Sequence, residues 1–398
     1  MKNLPVRLLF AAIVVLLPSA AFAQTHQVNP TDTYVTKGFE SDAAQAMEQA
    51  RESVAAGDFK SAVHDLSIYV SAHPTERAPA RLLGDLYYRQ GEFQTAERVY
   101  RSILLNVADD RETHNRLGAV YATENRIDEA IAEYTKSLPG TDSIADLVAL
   151  HQRKGDLAQY RASVERDAET MPSVASLQGD LGAVYLAEHD YARALVYFLR
   201  ELDLSPNSIL GLNHAAIAYM DLGMYDKAFD LLNRCHVKNP YEYSCTLNLA
   251  AADLETKQFE RGKILLDRAE QLEPEHPEIN VNYGYLSDAQ GNWKAAISYY
   301  IKALQISPYS RDAYLDLGVD YEQHRLYDLA ESALLKGISV VPTDGALHYL
   351  LGRTYQDQKK RDLAVEQFQA AFHSDDPTVS TLAKVRISQM GGSAPQLR

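Results

Sequence analysis

An all-α fold of stacked helix pairs is what this sequence predicts, on three observations. A pattern of Leu-Gly, an aromatic, an Ala, a large apolar residue and a Pro recurs at a spacing of about 34 residues from about Ala43 to Thr378. About ten successive frames fit it. The composition, 46% hydrophobic with no long low-complexity tract, suits a well-packed chain. The clearest copy is Ala175–Ser208: Leu181-Gly182 at positions 7 and 8, Tyr185 at 11, Ala194 at 20, Phe198 at 24 and Pro206 at 32.

Each frame holds two antiparallel helices, A and B. Gly182 sits where the two meet, and a side chain there holds the backbones apart; Ala194 is small for the matching reason. Tyr185 and Phe198 fill the gap, and Pro206 cannot continue a helix, so it ends helix B. No pair buries its apolar face alone, so neighbours stack into one core.

In chain order, Met1–Ala23 reads as a cleavable signal peptide. Lys2 and Arg7 precede an apolar run of ten, Leu8–Leu17, and Ala21-Phe22-Ala23 has the small-x-small form of a cleavage site. An uncleaved anchor is the competing reading, but the run is short for a membrane span. Export to a periplasm or to the outside, with cleavage before Gln24, is the expectation. Losing Lys2 and Arg7 changes the net charge from −15 to −17. So acidic a chain argues against nucleic acid as a partner. Gln24–Asp42 is polar and aperiodic, a flexible lead-in or an arm.

The frames begin at Ala43, Arg77, Arg111, Thr141, Ala175, Ile209, Tyr243, Pro277, Arg311 and Gly345. The first carries Ala50 and Leu66 but Ser53 where the aromatic belongs. The third is cut short by Pro139-Gly140. The fourth is degenerate, with Val148 in place of Gly and Tyr160 in place of Ala, so its helices are expected to be pushed apart. Asp128, Asp226, Asp328 and Asp362 stand in the first turn of helix B, where acids favour the helix dipole. Residues 379–398 are expected to supply a capping helix, Val379–Gln389, and a tail. Tyrosines at positions 11 and 24, such as Tyr87, Tyr100, Tyr121, Tyr134, Tyr300 and Tyr321, read as core.

On these residues the chain resembles the tetratricopeptide-repeat proteins, of exported bacterial type. The resemblance covers residues 43–378 and implies an α-solenoid, a right-handed superhelix whose A helices line a concave face. It further implies that positions 2, 5, 9, 12 and 13 meet a ligand. Those positions run basic (Arg51, Arg81, Tyr88, Arg89, Arg153), then apolar (Leu186, Leu210, Ile217, Met220, Leu247, Leu254, Val281, Tyr285), then acidic (Glu278, Asp288, Asp312, Glu322, Asp357). Asn213, Asn248 and Asn282 share this face, to hold a peptide backbone or to cap local polar groups. An exposed apolar stripe of that length suits a partner helix or an extended peptide; burial of these side chains against one another is the alternative. A clamp for a C-terminal carboxylate is not expected, because Asp85 accompanies Arg81 and Glu112 accompanies Arg116.

Cys235 and Cys245, the only cysteines, are equidistant from Pro240 at a helix corner. That register brings two Cα atoms within disulfide range, and an exported chain meets an oxidising compartment. A structural disulfide is expected, two buried free thiols being the alternative. No nucleophile–base set or metal-ligand spacing stands out. His114 and His348, at position 4, read as core, and Asp109-Asp110 and Asp375-Asp376 as helix ends. The expectation is a non-enzymatic, cofactor-free envelope scaffold for a protein or peptide partner, with self-association possible through the groove. A holdase or carrier for exported chains or glycans is the alternative.

Overall fold

The computed structural model describes residues 42–55, 58–138, 143–272, 276–374 and 376–391; the expected signal segment, most of the lead-in, Pro139-Gly140, Asp375 and the tail beyond 391 lie outside them. Among the described residues there are 21 helices and no strands. The fold is an α-solenoid of helix pairs, closed by a last helix, Pro377–Gln389. The chain forms two compact units, whose described residues are 42–184 and 185–391.

The fit inside each pair follows one rule of complementary volume. Where position 8 is Gly, position 24 is large: Gly84 with Tyr100, Gly118 with Tyr134, Gly284 with Tyr300, Gly318 with Leu334 and Gly352 with Phe368, every one of those large side chains buried. A Cβ on Gly118 would lie 2.9 Å from the Tyr134 ring, and one on Gly352 2.8 Å from the Phe368 ring. The glycine therefore makes room for a large side chain of its own repeat, a ring in four of these five, rather than for the facing backbone as the sequence reading had it. Where position 8 is Ala (Ala50, Ala216, Ala250), position 24 is Leu (Leu66, Leu232, Leu266), again buried. Dense packing permits only such paired changes.

The A–B turn fixes position 15 in the left-handed region. Gly91, Gly155, Gly223 and Gly291 take it with φ between 70° and 83°, and Asn125, His189, Lys257, Arg325 and Lys359 with φ between 59° and 63°. Side-chain caps close both helix types. Asp110, Ser208, Ser310 and Asp344, at position 34, accept the backbone N–H three residues into the next helix A. Asp58, Asp190 and Asn292, at position 16, do so for helix B. Each such bond satisfies an N–H that the helix leaves unpaired.

A third contact joins one repeat to the next, between position 27 and position 3. Ser137 and Ser143 hydrogen-bond there at 2.7 Å across the shortened third repeat, whose helix B, Ile127–Ser137, has only 11 residues. Buried Glu201 lies opposite Gly211, where a Cβ would meet its carboxylate. Cys235 and Cys245 occupy this pair at the next junction. They are joined as a disulfide with a Cα–Cα distance of 6.1 Å, inside the usual range.

Most of the tyrosines read as core are buried, Tyr100, Tyr121, Tyr134, Tyr185 and Tyr300 among them, while Tyr87 and Tyr321 are half-exposed. His114 and His348 are pegs: their ring nitrogens lie 2.9 Å from the corner carbonyls of Ala108 and Pro342, and 2.6 and 2.7 Å from Glu133 and Gln367 on helix B.

Candidate interaction face on the A helices

In the unit 42–184, helix A of the second repeat (Arg77–Arg89) and of the third (Arg111–Thr123) are latched by charge. The Tyr100 hydroxyl donates to Asp85 at 2.5 Å, and Arg116 Nε donates to the same carboxylate at 2.9 Å. Arg116 also pairs with Glu112 at 2.9 Å. Arg81 reaches Glu112 at 2.8 Å and Asp110 at 3.0 Å, and Arg77 reaches Asp110 at 2.9 Å. Asp85, Arg116, Asp110 and Tyr100 are buried. Burial pulls the Arg116 pKa down, but Asp85 and Glu112 more than offset that and hold it above the ordinary guanidinium value. Burial, with Asp85 beside it, pushes the Tyr100 phenol well up.

The basic stretch expected here is thus not a field of free cations. Arg81 is bound as above, Arg89 lies over the Phe59 ring at 5.8 Å, and Arg153 donates to Asn125 at 2.6 Å. Arg51 lies 3.6 Å from Glu48. Tyr88, also expected on this face, is buried and shares a 2.7 Å hydrogen bond with Thr123 of the next repeat. For Arg81 the physical reason is Asp110 and Glu112, which supply from within the chain the carboxylates a partner would otherwise bring.

In the unit 185–391, helix A of the sixth repeat (Ile209–Asp221) and of the seventh (Tyr243–Glu255) are almost wholly buried. Of the apolar residues expected to line a groove, Leu186, Ile217, Met220, Leu247 and Leu254 are buried, while Leu210, Val281 and Tyr285 are half-exposed. The open apolar stripe is therefore narrower than the sequence implied. Asn248 Nδ2 donates to Asn213 Oδ1 at 2.8 Å across adjacent repeats, and Asn248 Oδ1 is buried without a partner. Asn282 instead donates to the Glu278 carbonyl of its own helix at 3.0 Å. The structure joins two of the three asparagines and leaves the third aside. Buried Asp253, at position 11 where most repeats carry Tyr, is bound by Arg261. That pair stands where Tyr185 and Tyr219 meet Arg193 and Lys227.

Further along this unit Asp288 is half-buried, Asp312 pairs with Arg311 at 2.7 Å, and Glu322 with Arg353 at 2.7 Å. Burial raises the pKa values of Asp312 and Glu322 even against those arginines. Arg311 also reaches Asp344 at 2.6 Å, repeating the Arg77–Asp110 latch at the same two repeat positions.

The sequence reading missed these cross-repeat latches. Their signal was present as Arg81/Glu112 and Arg116/Asp85, opposite charges one repeat apart, but it served there only to exclude a clamp. Among the described residues no group of three or more His, Cys, Asp and Glu is arranged to hold a metal, and no helix is long and apolar enough to cross a membrane.

Comparison with known proteins agrees with the repeat. A sequence model of the tetratricopeptide repeat matches residues 47–109, 81–143 and 247–311, and a second matches 346–375. The chain is similar to BBSome complex member BBS4 of Bos taurus, 23% identical over 213 residues, or 53% of this chain and 41% of the relative. It is also similar to anaphase-promoting complex subunit 3 of Schizosaccharomyces pombe, 21% identical over 206 residues, or 49% and 29%. It therefore spans less than half the length of these curated relatives. Among solved structures, a monomeric mutant of IFIT1 with Gppp-AAAA aligns with a TM-score of 0.51 at 16% identity, covering 70% of this chain and 73% of that one; the likeness is one of fold. With the period, the paired helices and the matched segments in agreement, this chain belongs to the tetratricopeptide-repeat proteins.

Proposed function

We propose that this protein is a non-enzymatic interaction scaffold, and that the A helices of its sixth to eighth repeats receive an extended peptide or a helix from a protein partner. Tetratricopeptide-repeat proteins act as protein-interaction scaffolds, and this supports the general reading. The observation that carries the finer one is the half-exposed set Leu210, Val281, Asn282 and Tyr285 on these helices, above the Asn213–Asn248 pair. Two carboxamides meet across adjacent repeats, with the Asn248 carbonyl oxygen buried and unpartnered. Asn248 is wholly buried, so this pair fixes the spacing of the two helices beneath the face rather than meeting a peptide itself. Half-exposed Leu210, Val281, Asn282 and Tyr285 supply mixed apolar and polar contact around it. The reading extends to work in the cell envelope after export, on the strength of Met1–Ala23, and to the assembly of an envelope machine.

In-cell photocrosslinking tests it, with a photoreactive amino acid at Leu210 or Asn282 and a control at Ile264, which is 66% exposed. A discrete crosslinked protein from both test sites and not from the control is expected. Equal yields from Ile264 would overturn the proposed face. N-terminal sequencing of the processed chain tests export separately: Gln24 is expected as the first residue, and an intact Met1 removes that part of the reading.

A further inference from the structure

The fourth repeat breaks the volume rule that the others keep. Position 8 holds Val148 where the rest have Gly or Ala. Position 24 holds Val164 where they have Tyr, Phe or Leu, and position 20 holds Tyr160 where most have Ala. Bulk is added at positions 8 and 20 and taken away at position 24, so the pair cannot interdigitate as the others do. Helix A, Ser143–Lys154, is well buried, with Ile144, Ala145, Leu147, Val148 and Leu150 all inside. Helix B, Leu157–Thr170, buries one residue, Ala168, where helix B of the second repeat, Phe93–Asn106, buries Ala96, Tyr100 and Ile103. Val164 is only half-buried. The two helices touch far less than those of the second and third repeats.

What holds helix B is peripheral. The Tyr160 ring stacks on His151 at 4.3 Å with an interplanar angle of 8°, but its hydroxyl is buried without a hydrogen-bond partner. Gln178 Nε2 donates to the Ala168 carbonyl at 2.9 Å. In place of an interdigitated core such as that of the second repeat, helix B has a ring stack, one small buried side chain and polar contacts, His151 Nδ1 lying 2.7 Å from Asp156 at its N-cap among them. In a repeat array, stability is a sum of local terms, so a repeat poor in its own contacts opens without its neighbours.

We propose that Leu157–Thr170 is a releasable element: it undocks from Ser143–Lys154 while the second and third repeats stay folded. The opening uncovers the Val148 and His151 side of helix A. The rest of the unit is spared because Ser143, at the head of that helix, is fastened on its other side by Ser137 at 2.7 Å and by Asn115 at 2.6 Å.

Hydrogen exchange of the full chain, read by mass spectrometry, tests this. Amides of Leu157–Thr170 are expected to exchange at least about 100-fold faster than those of Phe93–Asn106. Equal protection of the two helices overturns the proposal, as does equally fast exchange in both, since opening would then not be local. A variant restoring the volume rule, Val148→Gly with Tyr160→Ala and Val164→Tyr, separates packing from mere helix propensity. It is expected to slow exchange of residues 157–170 by about tenfold or more and leave Phe93–Asn106 unchanged. A folded variant with unchanged protection overturns the packing cause. If the variant does not fold, the wild-type comparison still decides whether the element opens.

Discussion

The second and third repeats and the sixth and seventh share one frame, yet adjacent repeats are fastened by opposite means. In the former, buried Asp85 and Arg116 and half-buried Arg81 tie helix A to helix A by ion pairs. In the latter, a disulfide closes the corner and two asparagines meet at the equivalent face. The frame fixes which positions face each other, and the chemistry placed there is free to vary. Each kind of fastening carries its own sensitivity: one fails when a charge is orphaned, the other when a bond is reduced.

Removing one charge from the first pair of repeats is the strongest way to break the comparison. Asp85→Ala leaves buried Arg116 with Glu112 as its remaining ion-pair partner and takes away the acceptor of the Tyr100 hydroxyl. We expect about 3–5 kcal/mol of lost stability in urea titration. A loss below about 1 kcal/mol, the worth of a surface pair, would mean that this network is not what holds the repeats. For the other pair, Cys235→Ser with Cys245→Ser removes a link across a sequence separation of 10. About 2–3 kcal/mol is expected from the lost constraint on the unfolded chain. Reductant should reproduce that loss in wild type and do nothing to the variant.

Packing sharpens the contrast next. Gly118→Ala forces a Cβ toward the Tyr134 ring and should cost about 1–3 kcal/mol. Adding Tyr134→Leu should recover part of it, because Ala with Leu is the combination that Ala216 and Leu232 already use; a double-mutant cycle with no coupling contradicts the volume rule. Lys257 holds the A–B turn of the seventh repeat at φ 63°. Lys257→Gly should raise stability by about 1 kcal/mol, and a drop in melting temperature would count against strain at that turn.

The smallest effect is one of pH. Burial raises the pKa of Glu201 above its unfolded value. The stability it lends is present below the unfolded value and is lost as pH rises through the folded one. Glu201→Gln should therefore gain on wild type as pH rises from about 4 to about 8, with Ser208 still able to donate to the new side chain. A gap that stays constant across that range would show that the carboxyl does not titrate with folding.

Much of this was legible in the sequence because the repeat is a periodic packing code. Gly118, Tyr121, Ala130 and Tyr134 announce two antiparallel helices, and Cys235 with Cys245 announces a staple because corner geometry is local. The interaction face was read less well. Ile217 and Leu254 lie on a helix A and are apolar, but amphipathic position does not distinguish a side chain buried in its own chain from one awaiting a partner. Arg81 looked available because nothing local pairs it; Glu112 and Asp110, which do, stand about one repeat away.

By itself, then, the sequence determined the helix pairs, their period, the corner at Pro240 and the small residues that let rings such as Tyr100 and Phe368 lie between helices. These are set by interactions within one turn or one pair. Tertiary structure decided which charges meet across repeats, which of Asn213, Asn248 and Asn282 pair, and how thinly Leu157–Thr170 is held. Those outcomes depend on distances between residues a full repeat apart, which stacking alone sets.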